Sequence, residues 1–298
     1  MRITTNTLSQ NIVRQIQQLG TQQAKLQTQV ATGQRIFQPE DNPTAVGRVL
    51  GLESEQRRLS QFTNNAGRAL EVSQATFSGL QQIKKVSDRA TEIGTLGTGA
   101  IGTDASRAYA SEIDQLVEHT LQLANTRFRN DYLFAGTAVD ATPFTVTRDA
   151  DGKVTAAAYA GNSDRSAIQL SENSSIAPGS TGDTNLGLRD FINQLVALRD
   201  ALSTGDSAGV VATQTTLIAT EDRLVSSLAE HGGVQIRIEA NRAQQLQRGD
   251  NLETLISGET DADMPSTIVR LNQSQTAYQA ALQSAANIMR ISLLDYIK

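Results

Sequence analysis

Apolar residues recur at alternating intervals of four and three along the first stretch of the chain: Ile12, Ile16, Leu19, then a polar Gln23, then Leu26 and Val30. This is a heptad seam with one polar interruption. The last stretch repeats the pattern through Met264, Ile268, Leu271, Gln275, Tyr278, Leu282, Ala285 and Met289, with Leu293 a step beyond. Each seam holds a glutamine near its middle. Two seams with the same interruption predict that the two ends pair with one another as adjoining helices. The competing reading is two unrelated amphipathic helices, each on a core of its own.

Between the seams the pattern changes several times. Residues 31–43 read as a polar loop, in which Asp41 or Asn42 caps the next helix and Pro43 takes its first position. That helix is expected from Thr44 to Ile93, with Leu59, Phe62, Ala66, Ala69, Leu80, Ile83 and Ala90 as its stripe. Unbroken, it would be about 75 Å long at ~1.5 Å per residue. A Gly/Thr loop from Gly94 to Gly102 follows, and Asp104 is expected to cap a helix to Phe128. Phe144–Thr147 and Lys153–Thr155 flank Asp149-Ala150-Asp151-Gly152, a hairpin signal, and Ala167–Leu170 reads as a third strand. Helix resumes near Leu188, with Phe191, Ile192, Leu195, Leu198 and Leu202 on one face. Two further helices are expected, from Ser207 to Glu230 and from Val234 to Ile256, separated at Gly232-Gly233.

The order of helices, strands and helices predicts a mainly α fold. We expect an elongated helical bundle or coiled-coil rod built from both chain ends, with a small inserted β-rich domain. The expected division is residues 1–40 with 262–298 as paired terminal helices, 41–136 with 185–261 as a helical rod, and 137–184 as an outward-facing β-rich insertion.

Composition sharpens this picture. Aromatics are 4% of the 298 residues and Trp is absent, which suits thin helix-on-helix layers better than a thick core. The formal net charge of -5 argues against nucleic acid as a partner. Cysteine is absent, so no disulfide, thiol nucleophile or cysteine metal site is expected. Met1-Arg2-Ile3-Thr4-Thr5-Asn6 opens no apolar signal core, and no apolar run is long enough to span a bilayer. The ends are glutamine-rich and carry few charges outside their seams, which suits helices that meet protein on more than one side. A glutamine-rich solvent face is the alternative.

Candidate chemistry is sparse. Gly97, Gly99 and Gly102 spell G-x-G-x-x-G, but a helix and not a strand is expected before them, so dinucleotide binding is not expected. His119 lies inside an expected helix, and His231 at an expected helix end, where an imidazolium would suit the C-terminal dipole. Neither belongs to a cluster with metal-ligand spacing. No catalytic, cofactor or metal site is expected.

Five stretches then carry a resemblance. Met1–Asn6, Thr32-Gly33-Gln34-Arg35-Ile36 and Glu40-Asp41-Asn42-Pro43 resemble the N-terminal region of flagellin-like proteins. Ile291–Ile297 resembles their C-terminal end, and Asn130-Asp131-Tyr132-Leu133-Phe134-Ala135-Gly136-Thr137 is similar to a segment of the hook-associated branch. Asn42 stands where many relatives have a second Asp. The resemblance implies a structural subunit at the junction of flagellar hook and filament. It implies export through the flagellar type III apparatus without a cleaved signal, and a chaperone on the C-terminal helix. It also implies a homo-oligomeric ring, with a hook-associated protein on the hook side and flagellin on the filament side. The assembly surfaces it implies are the two seams, Ile12, Ile16, Leu19, Leu26 and Val30, and Met264, Ile268, Leu271, Tyr278, Leu282, Met289 and Leu293. A short filament-forming flagellin and a cytoplasmic coiled-coil adaptor stand as alternatives. An isolated thin helix is marginal, so the arms are expected to order when neighbours bury both sides.

Overall fold

Six helices dominate the computed structural model, which describes the backbone of residues 2–99 and 102–296 and the side chains of residues 10–99 and 102–288. They are α1 (Arg2–Thr32), α2 (Pro43–Gly97), α3 (Thr103–Ala124), α4 (Gly182–Thr204), α5 (Ser207–Thr260) and α6 (Met264–Tyr296). Between α3 and α4 lie β1 (Arg127–Phe128), β2 (Asp131–Tyr132), β3 (Phe144–Arg148), β4 (Val154–Tyr159), β5 (Ile168–Ser171) and β6 (Ser174–Ile176). These pair in sequence order as three two-stranded antiparallel sheets. The architecture is therefore mainly α with a small β-rich insertion.

The chain divides into two compact units, one of residues 1–58 with 248–298 and one of residues 59–247. The second unit holds the larger core. Its α2 contributes Leu80, Ile83, Ala90 and Ile93, α3 contributes Ile113 and Val117, and α4 contributes Leu188, Phe191, Ile192, Leu195, Leu198 and Leu202. Phe144, Val154 and Ala157 of the β3–β4 hairpin close over them. The Phe144 and Tyr159 rings pack against each other across that hairpin, tilted by 47° with centroids 5.2 Å apart. Burial of these side chains stabilises by ~1.5–3 kcal/mol for each large apolar residue. Arg199 is buried in this core, paired with Asp114 and with Asp200, each at 2.8 Å, and donating to the Val154 carbonyl. A second, smaller cluster joins Ala66 and Ala69 of α2, Leu170 and Ile176 of the β5–β6 hairpin, and Ile238 of α5.

Helix α5 runs without a break through the expected gap at Gly232-Gly233. Val210, Leu217, Leu224, His231, Ile238 and Gln245, seven residues apart, are all buried. That row outweighs the helix cost of the two glycines, roughly 1 kcal/mol each. His231 is thus mid-helix and in the core row, and the expectation of a helix-end imidazolium is corrected. Burial pushes its pKa below the ordinary 6.5, opposed by Glu230 and reinforced by Arg165.

Helix α3 is shorter than expected and ends before Phe128. Its C-cap Asn125 turns its side chain onto β3, accepting from the Phe144 N–H and donating to the Phe144 carbonyl, both at 3.0 Å. Arg129 (φ 51°) and Asn130 (φ 80°) then form the left-handed turn between β1 and β2, a conformation that asparagine tolerates better than most residues. Asp104 is not the cap of α3. Gly102 occupies that position without a side-chain bond, and Asp104 lies in the first turn, where its charge suits the helix dipole. The expected hairpin at Asp149–Gly152 is present, held by Asp149 Oδ1, which accepts from the N–H groups of Asp151 and Lys153.

Candidate assembly interface

In the first unit α1 and α6 pack against each other. They run antiparallel: Gln34, just past α1, bridges Asp261, just before α6, and one edge of the Tyr278 ring lies 3.6 Å from where a Cβ of Gly20 would stand. A glycine opposite a tyrosine lets the backbones approach closely. Ile12, Ile16, Leu19, Gln23 and Val30 are half-buried and Leu26 is buried, so the α1 seam faces inward.

On α6 the inward row differs from the sequence reading by one residue at alternate positions. Met264, Leu271 and Tyr278 are half-buried and Ala285 is buried, as members of the seam. Between them the inward positions are Thr267 and Ser274, both buried, with Ala281 and Ile288 half-buried. Ile268 is 43% exposed and Leu282 44% exposed, on the flank beside the seam. Adjacent helical residues differ by about 100° in direction, so a seam that takes small residues turns its larger neighbours outward. A pattern read from apolar residues alone selects those larger neighbours. The side chains of Met289 and Leu293 lie outside the described residues.

The chain segments at the inner end of this pair are tied by polar contacts. The Arg35 N–H donates to the Thr260 carbonyl at 2.6 Å, and the Ala262 N–H to the Gly33 carbonyl at 2.8 Å. Glu259 accepts two hydrogen bonds from the Arg48 guanidinium, at 2.9 Å each, which holds its carboxyl below the usual range. The loop 33–42 is fastened by Asp41. One carboxylate oxygen meets Lys25 Nζ at 2.6 Å, and the other accepts from the N–H groups of Phe37 and Gln38 at 3.1 Å. The Lys25 contact, then these two amides, lower the Asp41 pKa from 3.8 to about 2. The folded value lies below the ordinary one, so this support is complete above pH 3.8 and disappears as pH falls through about 2. Asn42 is the cap of α2, its Oδ1 accepting from the Ala45 N–H at 3.1 Å, so asparagine does the capping and aspartate fastens the loop.

Among the described residues no three His, Asp or Glu side chains gather as a metal site. Gly97 ends α2, so a helix precedes the G-x-G-x-x-G stretch, and His119 is exposed on α3. No helix among the described residues is long and apolar enough to cross a membrane.

The family model for the bacterial flagellin N-terminal helical region matches residues 3–139. Over the whole of both chains, the sequence is 26% identical to flagellar hook-associated protein 3 of Escherichia coli K12, across 325 aligned positions. Among solved structures, a protein of Vibrio parahaemolyticus described as flagellar hook-associated aligns with a TM-score of 0.67 at 17% identity, covering 74% of this chain and 100% of that one. FlgL of Bacillus cereus aligns with a TM-score of 0.60 at 19% identity, covering 70% of this chain and 99% of that one. At such identities the two structures speak to the fold alone. With both ends helical and paired, the chain is similar in fold to these structures, similar over residues 3–139 to the flagellin N-terminal helical region, and similar over its full length to flagellar hook-associated protein 3.

Proposed function

We propose that this chain is a structural subunit of the bacterial flagellum that forms the adaptor layer between hook and filament, with its paired terminal helices as the assembly surface. It is a structural protein and not an enzyme. The observation that carries the mechanism is the antiparallel packing of α1 on α6 with apolar side chains left over. Ile268 and Leu282 on α6, and Val13 on α1 at 42% exposure, are uncovered beside a seam whose own members are mostly half-buried. A two-helix layer that leaves such a row in water gains by burying it against neighbours, at ~25 cal/mol for each Å² removed.

In this reading the two seams hold the ends of one copy together. The flanking rows, with Met289 and Leu293 continuing α6, meet further copies in a ring, a hook-associated protein on one side and flagellin on the other. Export is through the flagellar type III route, with a chaperone holding the C-terminal helix beforehand. The helix content of the arms rises on assembly, because burial on both sides compensates the entropy of ordering them.

The test is a chain ended after Met264, expressed in cells that lack the full-length protein. We expect residues 59–247 to remain folded by circular dichroism while flagella carry intact hooks, no filaments, and flagellin lost to the medium. Filament growth on the shortened chain would refute the role of terminal pairing. Immunogold labelling of the intact protein separates the junction from a filament subunit: a band at the filament base is expected, and label along the filament would refute the adaptor reading.

A further inference from the structure

Two features on different units of the molecule are unexplained by terminal pairing. The first is Phe37. It is 59% exposed, and it is the only one of the chain's seven phenylalanines that is not at least half-buried. Its loop is not loose: Asp41 holds the Phe37 and Gln38 amides and is itself held by Lys25. The side chain is therefore presented outward by a fastened backbone, three residues before Glu40. Among the described residues Glu40 is exposed and has no ion pair or hydrogen bond.

The second feature is an open cavity of about 420 Å³ in the unit of residues 59–247. Its apolar wall includes Val72, Phe128, Leu133, Val139 and Ile168, each half-buried. Three arginines line it. Arg129 is occupied by Glu71 at 2.7 Å, and Arg165 by Glu230 at 3.4 Å. Arg68 is exposed and, among the described residues, without a partner. Asp131 is the one carboxylate on the lining.

We propose that the Phe37 loop of one copy docks in this cavity of a second copy, the ring against the apolar wall and Glu40 against Arg68. Size and charge agree. A buried phenylalanine removes ~150–250 Å² from water, a load the half-buried wall can receive. The one cation on the lining without a partner meets a carboxylate in the same condition. Knob and hole belong to different units and are unlike one another, so the contact between copies is heterologous, head-to-tail. Such a contact propagates around a ring where a two-fold contact would close into a pair. The inference rests on the copy-to-copy assembly proposed above.

The chain has no cysteine, so introduced thiols report cleanly. Gln38→Cys and Ser166→Cys are made in separate copies, with different tags, and both are expressed in cells lacking the parent protein. Isolated flagella are then oxidised. The expected result is a disulfide-linked dimer carrying both tags, absent when Ala150→Cys at the β3–β4 turn replaces Ser166→Cys. Adding Phe37→Ala lowers its yield by about tenfold or more, the scale of losing a buried aromatic anchor. Adding Arg68→Glu also lowers it, and Glu40→Arg in the other copy restores it. Restoration separates a docking contact from misfolding. Both variants present in flagella without a mixed dimer would overturn the docking and leave the adaptor reading standing. Disulfides that join only copies with the same tag would overturn it as well. Absence of the parent protein from the flagella of cells that make it would instead remove the assembly reading and this inference with it.

Discussion

His231 shows how burial converts one side chain into a condition on stability. It sits in the core row of α5, its Nδ1 has no hydrogen-bond partner among the described atoms, and desolvation lowers its pKa below 6.5. The charged groups acting on it are Glu230 beside it and Arg165 across from it. Because the folded value is the lower one, the unfolded chain binds the extra proton first. Stability is therefore full above the ordinary value and declines as pH falls below it. We expect the melting temperature of the parent to drop between about pH 7.5 and about pH 5.5, and His231→Leu to flatten that drop. An unchanged slope in the variant would assign the proton uptake elsewhere. The residue's place was not legible in the sequence, because Gly232-Gly233 is a local signal for a break and the row that overrides it depends on what α2 and β5–β6 bring to the other side. The cap of α2 is a wholly local contact, and the sequence narrowed it to Asp41 or Asn42 ahead of Pro43; the structure places it at Asn42.

Elements were legible in proportion to how far their apolar spacing ran. The face of α4 appears as expected, with Phe191, Ile192, Leu195, Leu198 and Leu202 all buried. The two-residue strands β1 and β2 offered no periodicity at all, and their turn rests on left-handed Arg129 and Asn130. The end of α3 was misplaced because its stop signal is tertiary: Asn125 exchanges two hydrogen bonds with Phe144, nineteen residues on. Asn125→Ala leaves both Phe144 backbone groups without that partner. We expect a loss of ~1–3 kcal/mol in urea unfolding, with the β3–β4 hairpin amides exchanging faster. A loss no larger than that of an exposed alanine substitution would show that water replaces the side chain. On α6 the larger residues Ile268 and Leu282 lie one position off the inward row, since small residues such as Thr267 and Ser274 do not register in an apolar count.

For the whole chain, fold class was readable. The expected boundaries at 40 and 262 fall inside the unit of residues 1–58 and 248–298. The side-chain contacts that extend that unit along α2 and α5 include Arg48 with Glu259 and Arg248 with Glu55, exposed polar pairs that a hydrophobic pattern cannot flag. The β-rich insertion was recognisable from its turns. The cavity that we assign to the Phe37 loop was not, because its wall is assembled from α2, β1, β2 and the chain around Ile168 and Pro178.

Both large apolar clusters draw their members from residues 59–247 alone. A thermal or denaturant screen therefore reads the health of the middle and is nearly blind to lesions in the arms. Variants such as Ile268→Asp or Leu282→Asp should melt within a few degrees of the parent, as exposed substitutions do, and yet leave cells without filaments. Motile cells carrying either variant would count against the flank as an assembly surface. Defects of this kind would be found by swimming, and tolerance in a stability scan would say little about whether an arm still works.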